Sequence, residues 1–388
     1  MSDLTAEQAA QALRVSRATL YAYTSRGQIQ SHPAPGRSRE RLYSSEDIRR
    51  LLARQEARRD PDQAAARGLN WGSPVLASAI TRIHNGRLYY RGKDAVELAA
   101  TATLEDAARL LWAAGPAERL FDPGLRSALV RPLPRDPIVR MQTILPAAGA
   151  ADPAAYDLRP SAVRQTGARI VRLFASAIGR NRRASIHEVL QSVWAPGNAK
   201  AAEAIRTALV LCADHELNVS TFTARCAASG GASPYDVVSA GLAALKGRRH
   251  GGETERVWAL FEEAGSAARA TGTVSSRLRR GERVPGFGHP LYADGDPRGA
   301  LLLTLAERSG NRVALRPIRA LRKAGADLLH EFANLDFGLA AMTRAYEMPQ
   351  RAPLVIFALG RTVGWIAHAI EQYSSGELIR PRARYTGQ

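Results

Sequence analysis

Apolar residues recur at helical spacing along most of the chain, and convincing alternating strands are few. Thr103 is predicted to cap a helix that runs through Ala113 and is closed by Gly115. Long helical segments are expected at residues 161–195, 200–229 and 235–247. One hairpin is expected over Ile83–Tyr90, with Asn85-Gly86 at its turn. The pattern predicts a mainly α-helical fold.

The first 60 residues form a separate pattern that begins with two short helices. Thr5 and Gln8 have the spacing of a capping box at the start of the first helix. Ser16 can cap a second helix that runs through about Ser25, and Gly27 ends it. These signals predict a helix-turn-helix at the N-terminus.

A basic strand and a third helix complete this N-terminal pattern. Arginines alternate along residues 37–43, and Ser44 and Ser45 offer caps for a helix through about Arg59. Residues 61–69 are polar and alanine-rich and are expected to be a linker. One interpretation of residues 1–60 is a helical appendage that serves only solubility or dimer contacts.

Residues 1–60 resemble the winged helix-turn-helix of the MerR and excisionase families, in the strings VSRATLYAYTSRGQI and RSRERLYSSEDIRRLL. The resemblance implies that residues 16–23 form a recognition helix and that wing arginines contact phosphates of double-stranded DNA. The candidate DNA-binding residues are Arg17, Thr19, Tyr21, Arg37, Arg39 and Arg41.

The chain is strongly basic, and its charge is not confined to the N-terminus. The formal net charge is +18, and 50 of the 54 basic residues are arginine. The first 60 residues carry +4, so the remaining 328 residues carry +14. A basic protein of this kind suits anionic partners, and the charge alone does not distinguish carboxylates, phosphates and nucleic acid as ligands.

Length and composition exclude several classes. A chain of 388 residues with 45% hydrophobic residues predicts two or three globular domains, and no membrane span is expected. The N-terminus has no secretory signal pattern, so a cytoplasmic location is the default expectation. The two cysteines, Cys212 and Cys226, fit neither a disulfide framework nor a metal site.

Three segments place polar groups where burial is expected, and these are the candidate sites. The first is residues 213–222, with Asp214, His215, Glu216 and Asn218 in what reads as an apolar helix. The others contain His250 before two glycines, His289 among glycines, Asp336, and Arg361 within an apolar helix. Taken singly, the histidines could be ordinary core residues, Asp336 could cap a helix, and Arg361 could pair with an internal carboxylate.

Familiar catalytic motifs are absent from the sequence. There is no HExxH zinc motif and no phosphate-binding GxxxxGK[ST] loop, and the Asp-Phe-Gly triplet at 336–338 lacks the other kinase signatures. No metal site is predicted.

Taken together, the segments resemble the citrate synthase family over residues 70–388. The matching strings, in order, are IxxIxxGxLxYRG, DHELNxSTF, HGG, PGFGHxxY with DPR, NxDF, GRTxGWIAH and RPRAxYTG. The resemblance implies a two-domain, all-helical enzyme: a large domain of residues 70–225 and 335–388, and a small domain of residues 226–334 that carries both catalytic histidines. Family members are dimers, so a homodimer is expected.

The resemblance also implies an activity, the condensation of acetyl-CoA with oxaloacetate to give citrate and CoA. Asp336 would be the base, His250 would donate a hydrogen bond to the thioester oxygen, and His289 would polarise the ketone. Oxaloacetate would bind His215, Arg298, Arg361 and Arg380, since arginine suits carboxylates. Acyl-CoA is then a substrate, and no tightly bound cofactor is expected.

Departures from the family pattern leave alternatives open. The family often has HGGAN where this chain has Glu253 and Thr254 after the glycines, and Arg248 and Arg249 precede His250. Glu253 could pair with either of those arginines. The alternatives are 2-methylcitrate synthase, which uses propionyl-CoA, and a DNA-binding regulator that keeps the enzyme fold as a metabolite sensor.

Overall fold

The structure is a computed structural model that describes residues 3–34, 37–45, 47–48, 51–52, 76–121, 134–179, 181, 184–383, 385 and 387. Helices dominate it, as the sequence pattern predicts. The chain divides into two units, residues 1–77 and 78–388. The predicted linker, residues 61–69, lies outside the described residues.

The N-terminal unit joins two helices to a three-stranded antiparallel sheet of order β1-β3-β2. Its elements are β1 (Leu4–Thr5), α1 (Ala6–Leu13), α2 (Arg17–Ser25), β2 (Ser31–Ala34) and β3 (Arg37–Tyr43). The capping box is confirmed, because Thr5 and Gln8 exchange backbone-to-side-chain hydrogen bonds of 3.0 and 3.3 Å. Ser16 caps α2 by accepting from the Thr19 N–H. Ser44 accepts from the N–H of Asp47 at 3.2 Å, as a helix cap does, and the predicted third helix lies mostly outside the described residues.

The C-terminal unit is a helical assembly with one small sheet. Its strands are β4 (Thr81–His84), β5 (Arg87–Tyr90) and β6 (Lys93–Asp94). Its helices are α3 (Ala95–Leu98), α4 (Leu104–Leu111), α5 (Pro137–Ala150), α6 (Pro160–Ser176), α7 (Ile186–Trp194), α8 (Ala199–Leu211), α9 (Val219–Ser229), α10 (Pro234–Leu245), α11 (Glu253–Ala264), α12 (Ala270–Arg279), α13 (Pro297–Glu307), α14 (Arg312–Leu329), α15 (Leu335–Ala345) and α16 (Ala352–Ser375).

The predicted hairpin is confirmed between β4 and β5. Asn85 and Gly86 form its two-residue turn with φ values of 49° and 68°. Two successive positive φ angles are the signature of a type I′ turn, which Asn-Gly adopts readily. The hairpin is joined to the helices by Thr81, whose hydroxyl donates to Asp214 at 2.5 Å.

Helix α16 runs through the core of the C-terminal unit. By length and composition it is long and apolar enough to cross a membrane, but 94% of its most apolar window is buried within the protein. No other helix in the described part of the chain passes that test. A helix apolar on every face is expected at the centre of a large helical protein, so α16 is a core helix here.

Two apolar clusters form the core of the C-terminal unit. The larger extends from Ile80 to Ala369 and includes α16, and the smaller is built mainly from α11, α12, α14 and α15. Helix α15 serves both, with Leu339 in the larger cluster and Phe337 in the smaller. Helix α10, which the sequence analysis assigns to the small domain, buries its side chains in the larger cluster. The predicted domain boundaries stay a prediction.

The expectation of one continuous helix over residues 200–229 is wrong. The helix breaks at residues 212–218, between α8 and α9. Asn218 causes the restart, because its side chain accepts from the N–H groups of Ser220 and Thr221 and so caps α9. The polar residues of the first candidate segment therefore lie at a helix junction, where backbone and side chains both face a site.

Candidate active site

His250 lies just before α11 and is held by residues at the start of α9. Its Nε2 atom lies 2.8 Å from Ser220 Oγ and 3.1 Å from Asn218 Oδ1. Trp365 of α16 donates from Nε1 to the same Ser220 oxygen at 3.2 Å. Burial lowers the pKa of His250 to about 3, so the ring is neutral at neutral pH. Among the described residues, no hydrogen bond to the Nδ1 atom is found.

His289 follows a loop that bends tightly at two glycines. Gly286 and Gly288 have φ values of 87° and 70°, which other residues adopt only with strain. The backbone N–H of Leu291 donates to His289 Nδ1 at 3.2 Å, so the neutral ring carries its proton on Nε2. Burial, followed by the charge of Arg298, lowers the pKa of His289 to about 4. His289 is therefore a neutral hydrogen-bond donor.

His215 brings the two histidine segments together. Its ring centroid lies 5.2 Å from that of His289, and its Nε2 atom lies 3.0 Å from the hydroxyl oxygen of Tyr292. Burial lowers the pKa of His215 well below its ordinary value, and four neighbours act in the same direction: Arg298, His289, Arg361 and His250. Those four side chains therefore lie within electrostatic reach of one imidazole.

Arg298, at the start of α13, is buried beside this group. It pairs with Asp296 through two hydrogen bonds of 2.9 and 2.8 Å, and its guanidinium lies 5.2 Å from the ring centre of Tyr292. Asp296 also accepts from the Leu335 N–H at 3.1 Å, which ties Arg298 to the helix that carries Asp336. The paired carboxylate holds the guanidinium in one orientation.

Arg361 interrupts the apolar helix α16 without an acidic ion-pair partner in the described residues. Its Nε atom donates to the backbone carbonyl of Cys212 at 2.9 Å, and no hydrogen bond to its terminal nitrogens is found among those residues. The guanidinium lies 5.0 Å from the ring centre of Phe357, and that ring lies 5.8 Å from the ring of His250. Burial lowers the pKa of Arg361. No direct ion pair joins Arg361 to a carboxylate within the described residues, but the buried Asp214 carboxylate lies within electrostatic reach and partly offsets the fall in the pKa of Arg361.

Asp336 is the second residue of α15. The helix is capped by Asn334, which accepts from the N–H groups of Asp336 and Phe337, so Asp336 is not the cap. Its Oδ1 atom is buried and makes no hydrogen bond within the described part of the chain. Burial raises the pKa of Asp336 to about 8, and the nearby carboxylate of Glu253 adds to the rise. A carboxyl group in this state is a strong base once ionised.

Arg380 is not brought into this group. It lies in the segment after α16 and is exposed. No hydrogen bond or ion pair joins it to the other candidate residues in the described structure. Ser220, Trp365 and Tyr292 are site residues that the sequence pattern does not single out, although they stand within the quoted strings DHELNxSTF, GRTxGWIAH and PGFGHxxY.

An open cavity of about 650 Å³ lies on one side of His289. Residues 282–296 and 329–334 supply most of its wall, including Arg283, His289 and the half-exposed ring of Phe332. Its charged lining residues are Arg283 and the carboxylates Glu282, Asp296 and Glu331, so the cavity is large enough for a sizeable ligand but is not basic. Among the described residues, no group of three or more His, Cys, Asp or Glu side chains could hold a metal ion.

In the N-terminal unit, α2 presents part of the predicted DNA-binding set. The Arg17 side chain is 58% exposed and pairs with Glu7 at 3.2 Å, and Tyr21 is 51% exposed. Thr19 is half-buried and its hydroxyl lies 2.9 Å from that of Ser16, so it takes part in capping.

The remaining predicted DNA-binding residues lie on β3. Arg37, Arg39 and Arg41 occupy alternate positions of that strand. Arg41 is exposed and donates to the side chain and the carbonyl of Ser31 at 2.9 and 2.8 Å. These bonds join the two long strands of the sheet.

Comparison with known proteins identifies the family. The profile of the citrate synthase C-terminal domain matches residues 68–382, and a helix-turn-helix domain profile matches residues 4–56. The chain is 29% identical over 358 residues to citrate synthase 2 of Bacillus subtilis, covering 83% of this chain and 96% of that protein. It is 34% identical over 199 residues to 2-methylcitrate synthase of Shewanella oneidensis, covering 49% and 53%.

A solved structure agrees with this assignment. The citrate synthase of Thermoplasma acidophilum, in ternary complex with carboxymethyl coenzyme A and oxaloacetate, superposes with a TM-score of 0.72 at 25% identity. The match covers 83% of this chain and 96% of that one. The chain belongs to the citrate synthase family of acyltransferases.

Proposed function

We propose that the protein condenses acetyl-CoA with oxaloacetate to give citrate and CoA. The observation that carries the proposal is that the buried Arg298 lies within electrostatic reach of Asp336 and also of His289 and His215. Asp336 has a raised pKa and a buried oxygen that no described residue binds. A Claisen-type condensation needs such a base, together with donors for the oxygens that gain charge.

In the first step Asp336 removes a proton from the thioester methyl group. The negative charge that forms moves to the thioester oxygen, and His250 donates a hydrogen bond to it from Nδ1. The Nε2 atom of the same ring faces Ser220 and Asn218, so the ring is oriented before substrate arrives. A neutral imidazole is required here, and burial of His250 provides it.

In the second step the enol carbon attacks the ketone of oxaloacetate and a carbon–carbon bond forms. Arg298 and Arg361 bind the carboxylates, with His215 as a further contact. His289 donates from Nε2 to the ketone oxygen and gives it a proton as the alkoxide develops. The proton that Asp336 took from the methyl group then replaces the one that His289 lost, so both groups return to their starting states. Water then cleaves the thioester, which releases citrate, CoA and a proton. Closure of the segments that carry His250 and His289 keeps water out before that step.

Arg380 and a second subunit belong to the same proposal. Arg380 is exposed in the single chain, and its role as an oxaloacetate contact stays a prediction. A homodimer is proposed from the family resemblance, and sedimentation of the purified protein measures it. Acetyl-CoA is a substrate and CoA a product of this reaction, so no tightly bound cofactor is proposed.

The proposal is tested by thiol release from acetyl-CoA. Purified protein should release CoA when oxaloacetate is present and not when it is omitted. Asp336→Ala should lose this activity while Asp327→Ala, a matched change at an exposed carboxylate of α14, retains it. Full activity in Asp336→Ala would contradict the proposed role of Asp336.

The use of propionyl-CoA to give 2-methylcitrate is an alternative within the same chemistry. It is favoured by the partial match to a 2-methylcitrate synthase. The substrates differ by one methylene group, which is worth about 1–3 kcal/mol in a pocket. A comparison of kcat/KM for acetyl-CoA and propionyl-CoA decides which is the better substrate.

A second function, DNA binding, is supported by a different observation. Residues 4–56 match a helix-turn-helix domain, and α2 and the basic strand β3 lie in the order that the winged form requires. In this proposal α2 reads the major groove, the arginines of β3 contact phosphates, and the citrate synthase-like unit reports metabolite levels.

Salt-dependent binding to the DNA upstream of the protein's own coding sequence tests this second function. Arg17→Ala and Arg41→Ala should each weaken binding, and the slope of affinity against salt concentration should fall for a lost phosphate contact. Arg322→Ala on the exposed face of α14 removes the same charge from the other unit and serves as control. Equal binding by all three variants would contradict the proposed DNA-binding surface.

A further inference from the structure

Glu253 is a buried carboxylate next to the candidate active site. It is the first residue of α11, three residues after His250, and only 5% of its surface is exposed. Glutamate is rarely buried to this extent unless its charge is compensated. Its position at a helix N-terminus favours a negative charge but does not explain why the side chain is buried.

The side chain of Glu253 joins its own helix to the loop that carries His289. Its Oε2 atom accepts from Arg256 at 2.8 Å, and its Oε1 atom accepts from the backbone N–H of Gly286 at 3.4 Å. Arg283 lies 3.9 Å from the same Oε1 atom. The sequence-based interpretation that Glu253 pairs with Arg248 or Arg249 is therefore wrong, and both of those arginines are exposed.

Gly286 lies at a close approach of three segments. A Cβ atom there would lie 2.8 Å from a methyl carbon of Val257 on α11 and 3.1 Å from Cβ of Phe337 on α15. The Gly286 carbonyl accepts from the backbone N–H of Asn334 at 2.9 Å. Since Asn334 caps α15, the two backbone groups of Gly286 connect Glu253 to the start of the helix that carries Asp336.

We propose that Glu253 is a positioning residue for the condensation. Its carboxylate fastens the loop of residues 283–289 to the helix that follows His250, and it places a second negative charge beside the base Asp336. The inference rests on the proposed function and deepens it. The role is specific to a chain with an acidic residue after the two glycines.

The charges around Asp336 support this role. Burial contributes most to its raised pKa, and Glu253 on α11 contributes next. Asp296, before α13, also raises the pKa, whereas Arg298 on α13 and Arg283 on the loop lower it. Removal of the Glu253 charge should therefore lower the pKa of Asp336. More of the base is then ionised at neutral pH, but each ionised carboxylate is weaker.

The test is the pH dependence of kcat/KM for acetyl-CoA at saturating oxaloacetate, measured on the full-length protein. Glu253→Gln removes the charge and keeps an oxygen that can accept from Gly286. We expect the acid limb to move to lower pH by at least about 0.5 unit, because a like charge nearby raises a carboxyl pKa. The plateau at high pH should fall. Asp327→Asn, which removes one exposed negative charge from α14, should leave both unchanged.

Glu253→Asp provides a second reading if the glutamine variant is insoluble. It keeps the charge and shortens the side chain, so the acid limb should stay in place while kcat falls by about tenfold as the loop contact is lost. An unshifted acid limb in a folded Glu253→Gln protein overturns the inference, as does a Glu253→Asp protein with wild-type kinetics. If the wild-type protein releases no CoA in the presence of oxaloacetate, the proposed condensation itself is wrong. If the wild-type protein is active but the Glu253 variants do not behave as expected, only the role of Glu253 is wrong.

Discussion

The Oγ atom of Ser220 lies 2.8 Å from the Nε2 atom of His250. The same oxygen accepts a hydrogen bond from the indole N–H of Trp365. Ser220 is fully buried at the start of α9, so this contact fixes the imidazole from a rigid helix end. The Ser220 hydroxyl donates to Asn218 Oδ1 at 2.8 Å. We expect its proton to turn to His250 Nε2 in the condensation, which leaves the proton of the neutral ring on Nδ1, where the thioester oxygen is expected.

Ser220→Ala should impair the chemical step more than substrate binding. Loss of the hydrogen bond releases the His250 ring, and kcat should fall by about tenfold, which corresponds to about 1.4 kcal/mol. The KM for oxaloacetate should be unchanged, because the two buried arginines are untouched. Ser229→Ala on the same helix removes a hydroxyl that donates to the Cys226 carbonyl at 2.8 Å, and it is the matched control. A variant with altered KM and normal kcat would contradict this role of Ser220.

Asp336→Asn should abolish activity and stabilise the protein at alkaline pH. Loss of a general base costs about 10²- to 10⁴-fold in rate. The folded-state pKa is raised to about 8, whereas the ordinary value is 3.8, so the unfolded chain releases a proton that the folded protein keeps. Between about pH 4 and pH 8 the wild-type protein therefore loses stability through this group as pH rises.

Calorimetry of both proteins at pH 4 and pH 8 measures this effect. The Tm of the Asp336→Asn protein should exceed that of wild type at pH 8, and the difference should shrink at pH 4. A difference in Tm that is the same at both pH values would contradict the raised pKa of Asp336.

The pH profile of the wild-type enzyme should show no histidine ionisation near neutrality. Burial lowers the pKa of His250 to about 3 and that of His289 to about 4, so both rings stay neutral from pH 5 upward. The acid limb of kcat/KM should instead reflect Asp336 and have its midpoint near pH 8. A limb centred near pH 6.5 would indicate that a histidine must change its charge.

Arg361→Gln should weaken oxaloacetate binding strongly. The guanidinium is buried and makes one backbone contact within the described residues, so it is placed to bind an anion. Removal of one partner of a buried charge pair costs about 2–5 kcal/mol, and the KM for oxaloacetate should rise at least about thirtyfold. Arg322→Gln, on the exposed face of α14, should leave the KM unchanged. A normal KM in Arg361→Gln would contradict substrate binding there.

Local features of the fold could be predicted from the sequence, because they depend on residues a few positions apart. The capping box at Thr5 and Gln8, the Ser16 cap and the Asn85-Gly86 turn are all present. The sequence pattern predicts a continuous helix through residues 212–218 because apolar residues flank this junction on both sides. The competing signal was Asn218, whose side chain binds backbone N–H groups and begins a new helix.

The site could be predicted only in part. Ordered sequence strings single out His250, His289 and Asp336, but no local pattern shows that Trp365 bonds to Ser220, 145 residues away. The partner of Arg361 is a backbone carbonyl, which is invisible to any analysis of side-chain charges. Long-range contacts of this kind are set by packing of whole helices.

Carbon–carbon bond formation is the central claim, and an isotope experiment measures it most directly. Acetyl-CoA labelled with ¹³C in its methyl group is incubated with oxaloacetate and the full-length protein, and the product is followed by NMR. If the protein catalyses the condensation, the label should appear in a methylene group of citrate, with one CoA released for each citrate. Release of labelled acetate, or no release of CoA that depends on oxaloacetate, would contradict it.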